Sequence, residues 1–68
     1  MNPTPAQLAY IATMLIQLHL DLAQGLRLAR LRRDLDSLWM LEAGEAFQLM
    51  HALEREKRQR GFPQLHLN

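Results

Sequence analysis

From Met1 to Leu20 the chain carries no Asp, Glu, Lys or Arg, and its eight basic and seven acidic residues all fall between Asp21 and Arg60. An uncharged apolar start of this length belongs to a signal peptide, a membrane span or a helix buried in a folded domain. A signal peptide carries Lys or Arg ahead of its apolar run, and this run has none. A span needs roughly 20 predominantly apolar residues. Here Gln7, Thr13, Gln17 and His19 interrupt the run and Asp21 ends it. The segment therefore reads as a buried helix of a soluble chain, with no membrane role.

Its start is written in the residues themselves. Thr4-Pro5-Ala6-Gln7 offers a capping hydroxyl, proline at the first helical position, and a glutamine three residues after the cap. That is a capping box, in which two backbone donors with no partner inside the helix are satisfied by side chains. Leu8, Ile11, Leu15, Leu18 and Leu22 then recur in steps of three and four, marking one helical face from Pro5 to about Gln24. At about 100° per residue, the polar side chains Gln7, Thr13, Gln17, Asp21 and Gln24, with Tyr10, share an arc of only about 120°. Ala9, Ala12, Ile16, Leu20 and Ala23 widen the apolar remainder. A helix apolar over so much of its surface needs cover on more than one side.

Later punctuation is less decisive. Gly25 either ends the first helix or sits inside a longer one at about 1 kcal/mol. Leu28, Leu31, Leu35 and Leu38 resume helical spacing, so a helical segment is expected over Leu26 to Arg33. Asp34, Asp36 and Ser37 are all residues that cap helix starts, and Leu41 to Gly44 is a second candidate boundary. The last helix places Ala46, Leu49, Met50 and Leu53 on one face, followed by the charged run Glu54 to Arg60, which reads as a solvated helix end. Lys57, Arg58 and Arg60 suit a helix C-terminus, and Gly61 suits the left-handed residue after it. The expected fold is all-α: one domain over 1–68, a short bundle of two or three helices, with 1–4 as N-terminal cap and 62–68 as an extended tail. A two-helix hairpin and a three-helix arrangement both fit, the latter slightly better.

Sixty-eight residues enclose little interior, and chains this small usually need a disulfide, a metal or a partner subunit. There is no cysteine, while 49% of the residues are hydrophobic. Association is the remaining means of support, so a homodimer is expected, with Leu8, Ile11, Ala12, Leu15, Ile16 and His19 on the dimer face. His19 falls within the apolar arc and reads as a core or interface histidine. Burial among apolar groups would make that contact sensitive to pH.

Catalysis needs several polar groups converging in a pocket. Ser37 is the only serine, Gly25, Gly44 and Gly61 are isolated, and His19, His51 and His66 lack metal-ligand spacing. No catalytic, cofactor-binding or metal site is assigned, and the chain reads as a binding protein rather than an enzyme. Net charge is +1, too balanced to imply nucleic acid by itself. Arg27, Arg30, Arg32 and Arg33 form the one cluster suited to phosphate, but no aromatic interleaves it, so nucleic acid is the less favoured partner. Trp39 and Met40, with Leu41 and Phe47, are the candidate surface for a larger protein. Four adjacent apolar residues from Leu38 to Leu41 cannot all face inward on a helix, and Trp is a frequent anchor at interfaces.

Gln7-x-x-Tyr10-Ile11-x-x-x-Leu15, then Leu41-x-x-x-Glu45-Ala46-x-x-Leu49-Met50-x-x-Leu53 and Gly61-Phe62, resembles small helical domains of phage proteins. The layout is similar to the Mu-like GemA family of phage regulatory proteins, described as modulators of host gyrase. It departs from that pattern at Glu42, where such domains usually carry Thr or Ser, and in the run Leu38 to Leu41. The resemblance implies a phage or bacterial accessory factor that binds and modulates or inhibits a larger host protein in the host cytoplasm. It supplies no catalytic residue. The alternative is a dimeric nucleic-acid-associated regulator using Arg27 to Arg33 on phosphate.

Overall fold

A computed structural model describes residues 1–61, so the expected extended tail over 62–68 lies outside the described residues. Thr4 is extended, its hydroxyl accepts from the Gln7 N–H at 3.1 Å, and the Gln7 side chain accepts from the Thr4 N–H at 2.9 Å. Helix α1 follows from Pro5–Leu18. It stops well short of Gln24, because His19 turns into the left-handed region at φ 57°. There the Leu20 N–H donates to the Leu15 carbonyl at 2.9 Å, and the His19 N–H to that of Ile16 at 3.1 Å. This pair of bonds is a Schellman turn, closed by a residue type other than glycine. It swings the His19 side chain out to solvent, so His19 is neither a core nor a helix-face histidine.

Asp21 then starts a new helix with a second capping box. Its carboxylate accepts from the Gln24 N–H at 2.7 Å, and Gln24 accepts from the Asp21 N–H at 2.8 Å. Helix α2 is Leu22–Leu28, with Gly25 buried in its middle. It ends in a second Schellman turn, with Arg30 at φ 61° and the Leu31 N–H bonded to the Leu26 carbonyl at 2.9 Å. The helix expected over Leu26 to Arg33 is therefore displaced toward the N-terminus, and only Leu26–Leu28 of it is helical. Asp34 and Asp36 cap nothing. Ser37 precedes a short 3-10 turn, Leu38–Met40, without a side-chain cap.

Helix α3 spans Ala43–Gln59, with Glu42 at its N-cap. Glu45 Oε1 accepts from the Glu42 N–H at 3.0 Å, and both Glu45 oxygens lie within 2.8 Å of Arg33 Nη1. Another of the free N–H groups at this helix start, that of Ala43, donates to the Met1 carbonyl at 3.0 Å. The helix ends at Arg60 and Gly61, whose φ of 69° is the left-handed conformation expected of it.

The Glu42 N–H, then Arg33, hold the Glu45 carboxyl below the usual carboxylate range. A lowered folded-state value means that the fold favours the ionised form. That contribution is fully present above about pH 4.3, the ordinary glutamate value, and is lost as pH falls through the lower folded value. Glu45→Gln should therefore be less stable than the parent at pH 7, with the gap closing below about pH 4. Urea midpoints at pH 7 and pH 3 check this. A gap unchanged between them would remove the Arg33–Glu45 charge pair as its source.

Residues that meet across α1 and α3 ascend together. Met1 meets Ala43, the Tyr10 hydroxyl donates to Glu54 at 2.7 Å, Lys57 Nζ donates to Gln17 at 3.4 Å, and Arg60 Nη1 donates to the Leu18 carbonyl at 2.7 Å. The two long helices are therefore parallel, which excludes the two-helix hairpin. Parallel neighbours need a long return, and α2 with the segment Ala29–Ser37 supplies it. Part of the run Glu54 to Arg60, expected to be solvated, instead ties α3 to α1. Glu54 also raises the Tyr10 pKa, chiefly because its oxygen accepts the phenolic proton. The core lies between the three helices, with Ile11, Leu18, Leu41, Ala46, Leu49 and Leu53 fully enclosed. Among the described residues there is no strand, and no helix is long and apolar enough to cross a membrane.

Candidate functional site

The 3-10 turn resolves the apolar run Leu38 to Leu41. Residues three apart in such a turn share a side. Leu38 and Leu41 accordingly point inward, with Leu41 in the core, while Trp39 is 75% and Met40 46% exposed. Leu41 is thus removed from the expected partner surface, because its side chain is spent on the core and holds the turn in place. Phe47 is 58% exposed, on the outer side of α3. In none of the depressions described does it stand with Trp39 and Met40. It lines a groove of about 640 Å³ between α2 and α3, with Leu28, Ala29, Arg30, Gln48, His51, Ala52 and Arg55.

The expected dimer face is divided in the same way. Leu8, Ile11 and Leu15 are buried within the protomer against α3 and α2, so they are unavailable to a second copy. Ala12 is half-buried, and His19 has left the helix. Ile16 alone of the six is a large apolar side chain in solvent, 73% exposed. The exposed side of α1 around it, with Ala6, Ala9 and Thr13, is uncharged.

The four arginines of the basic cluster also part company. Arg27, Arg32 and Arg33 line a depression with Asp34, whereas Arg30 lines the separate groove with Phe47. Arg33 is committed to Glu45 at 2.7 Å. Phosphate would have to compete with that carboxylate and with Asp34. Among the described residues, no three His, Cys, Asp or Glu side chains gather in a way that would hold a metal ion.

The groove is the feature that sequence reasoning missed. Phe47, His51 and Arg55 stand four residues apart on one helix, and such residues share a face. Their rings and charge therefore had to lie in line, with the Phe47 and His51 ring centres 4.4 Å apart and edge-on. What spacing alone did not reveal is the opposite wall, because α2 was expected to end five residues later. The Ala29 carbonyl ties that wall to α3, accepting from Gln48 Nε2 at 3.0 Å. No family model, curated protein or solved structure matches this chain.

Proposed function

We propose that the chain is a small non-enzymatic interaction protein, an accessory factor of phage or bacterial type that binds and modulates a larger host protein in the cytoplasm. The observation that carries this reading is Trp39. A tryptophan 75% exposed, on a turn whose two flanking leucines point inward, presents a large apolar area to solvent. Tryptophans so presented are typical anchors of protein interfaces, and their truncation costs about 2 kcal/mol or more of binding. The likeness to phage regulatory domains, carried by the residues from Gln7 to Gly61, points the same way. On this reading a second copy pairs through the uncharged side of α1 around Ile16.

The test compares the parent chain with Trp39→Ala in capture from bacterial lysate, with identification of what is retained. Trp39→Ala should keep its helical circular dichroism, since the ring lies outside the core, and lose the retained protein by at least tenfold. Equal retention by both would overturn the reading. The nucleic-acid alternative makes the opposite demand. Duplex DNA should then bind with an affinity that falls steeply with salt, and Arg27→Glu with Arg32→Glu should abolish it while Trp39→Ala does not.

A further inference from the structure

We propose that the groove between α2 and α3 docks an acidic amphipathic segment of a partner protein, whose apolar side chains lie on Leu28, Ala52 and Phe47 and whose carboxylates meet Arg30 and Arg55. This rests on the reading of the chain as an interaction protein and names the partner's chemistry at a site separate from Trp39. The groove has about 640 Å³ of open space, within the range of sites that hold ligands. Leu28 and Phe47 are its exposed apolar side chains, the His51 ring packs edge-on against Phe47, and the nearly buried Ala29 and Ala52 complete the apolar lining.

Charge decides the occupant. The groove is lined by two arginines and a histidine and by no carboxylate. The other two depressions described each contain their own acid, Glu56 beside Arg27 and Arg60, and Asp34 beside Arg27, Arg32 and Arg33. Among the described residues the ion pairs are Arg33–Glu45 and Arg60–Glu56, so Arg30 and Arg55 have no carboxylate partner there. Exposed Leu28 and Phe47 in one groove with two guanidinium groups complement a helix that carries leucine or phenylalanine on one side and Asp or Glu at its edges. Phosphate would satisfy the arginines but leave the exposed Leu28 and Phe47 side chains uncovered, which favours a peptide over nucleic acid.

The backbone at Arg30 adds a second observation. Its φ of 61° lies where glycine is the favoured residue, yet the position holds an arginine at the mouth of the groove. Local stability is lower than glycine would give, and the guanidinium is the compensating gain. Opposite effects on stability and binding follow from substitution there. His19 has the same backbone conformation away from the groove, so it serves as the control.

The experiment selects binders to the full chain from a displayed library of random 16-residue peptides, then measures the consensus peptide by fluorescence anisotropy. The recovered peptides should place Asp or Glu beside Leu or Phe at helical spacing. Arg55→Glu and Phe47→Ala should each weaken the consensus peptide by about tenfold or more, and a peptide with Lys in place of its acids should gain on Arg55→Glu. Arg30→Gly should raise Tm while weakening the peptide, whereas His19→Gly should raise Tm and leave the affinity unchanged. Neutral or basic consensus peptides, an affinity indifferent to Arg55→Glu and Phe47→Ala, or no recovered peptide would each overturn the proposal. Peptides lost only on Trp39→Ala would overturn it while leaving the interaction reading intact. Displacement of the peptide by a 20-base-pair duplex with the same dependence on Arg55 would assign the groove to nucleic acid and overturn it as well.

Discussion

Leu49→Ala should lower the stability of the chain by about 2–5 kcal/mol, a large share of its total. Leu49 is fully enclosed on the inner face of α3, where that helix meets both α1 and α2. Removing three carbons from such a site costs their transfer energy plus the cavity left behind, about 2–5 kcal/mol. A 68-residue domain holds a total of roughly 3–10 kcal/mol, so one substitution removes much of it. Ile16→Ala is the matched contrast, a large apolar side chain truncated on a surface, where about 0.5 kcal/mol or less is usual. Urea titrations followed by circular dichroism should show a much lower midpoint for Leu49→Ala and nearly none of that change for Ile16→Ala. Equal losses would mean that the inner face of α3 is not the core. A loss at Ile16 that grows with protein concentration would instead come from pairing of two copies through α1.

The contrast between these two residues also marks how far the sequence was legible. Leu8, Ile11, Leu15 and Leu18 on one side and Ala46, Leu49 and Leu53 on the other stand at helical spacing and form the core, although the same spacing put Leu8, Ile11 and Leu15 on an expected dimer face. Thr4 and Gln7 announced the start of α1, and Gly61 the end of α3, because each belongs to a residue type that the local geometry favours. The ends of α1 and α2 were not announced in that way. Both turn on a left-handed residue, and His19 and Arg30 take the place that a reader reserves for glycine. The surviving signal was apolar. In each Schellman turn, Leu20 or Leu31 follows the left-handed residue and folds back toward Leu15 or Leu26, the hydrophobic contact such turns commonly carry. Asp21-Leu22-Ala23-Gln24 likewise repeats the cap-to-glutamine spacing of Thr4 to Gln7, and it was hidden by the apolar periodicity running through it. Missing those two ends moved α2 along the chain, and with it the groove wall at Leu28 and Ala29. The exposed turn was clearer, since four adjacent apolar residues had to leave some in solvent. Which two, Trp39 and Met40, depended on a 3-10 geometry that composition does not specify.

Gly25, whose spacing fits either a helix end or a helix interior, sits inside α2 and is buried. A Cβ built there would stand 2.8 Å from Leu15 Cδ2, 3.5 Å from Leu49 Cδ1 and 3.9 Å from Leu53 Cδ2. The residue is glycine because α2 lies directly against α1 and α3, and a side chain would hold it off. Gly25→Ala sets two effects of similar size against each other. Helix propensity gains about 1 kcal/mol, and the forced movement of the Leu15 methyl costs about 1–3 kcal/mol. The net change should be a loss of roughly 0–2 kcal/mol, since Leu15 is itself buried but its methyl is the free end of a side chain. Gly25→Val allows no such relief. Its two added methyls would meet fully enclosed Leu49 and Leu53 as well as Leu15, and valine gains less helix propensity than alanine. A loss of about 3 kcal/mol or more is expected, close to that of Leu49→Ala. The double variant separates clash from propensity. With Leu15→Ala already in place the obstructing methyl is gone, so adding Gly25→Ala should stabilise by about 1 kcal/mol. Chemical denaturation of the four members of that cycle measures the coupling directly. A Gly25→Val chain as stable as the parent, or a coupling near zero, would mean that α2 is not seated against Leu15, and the groove it forms with α3 would lose its wall.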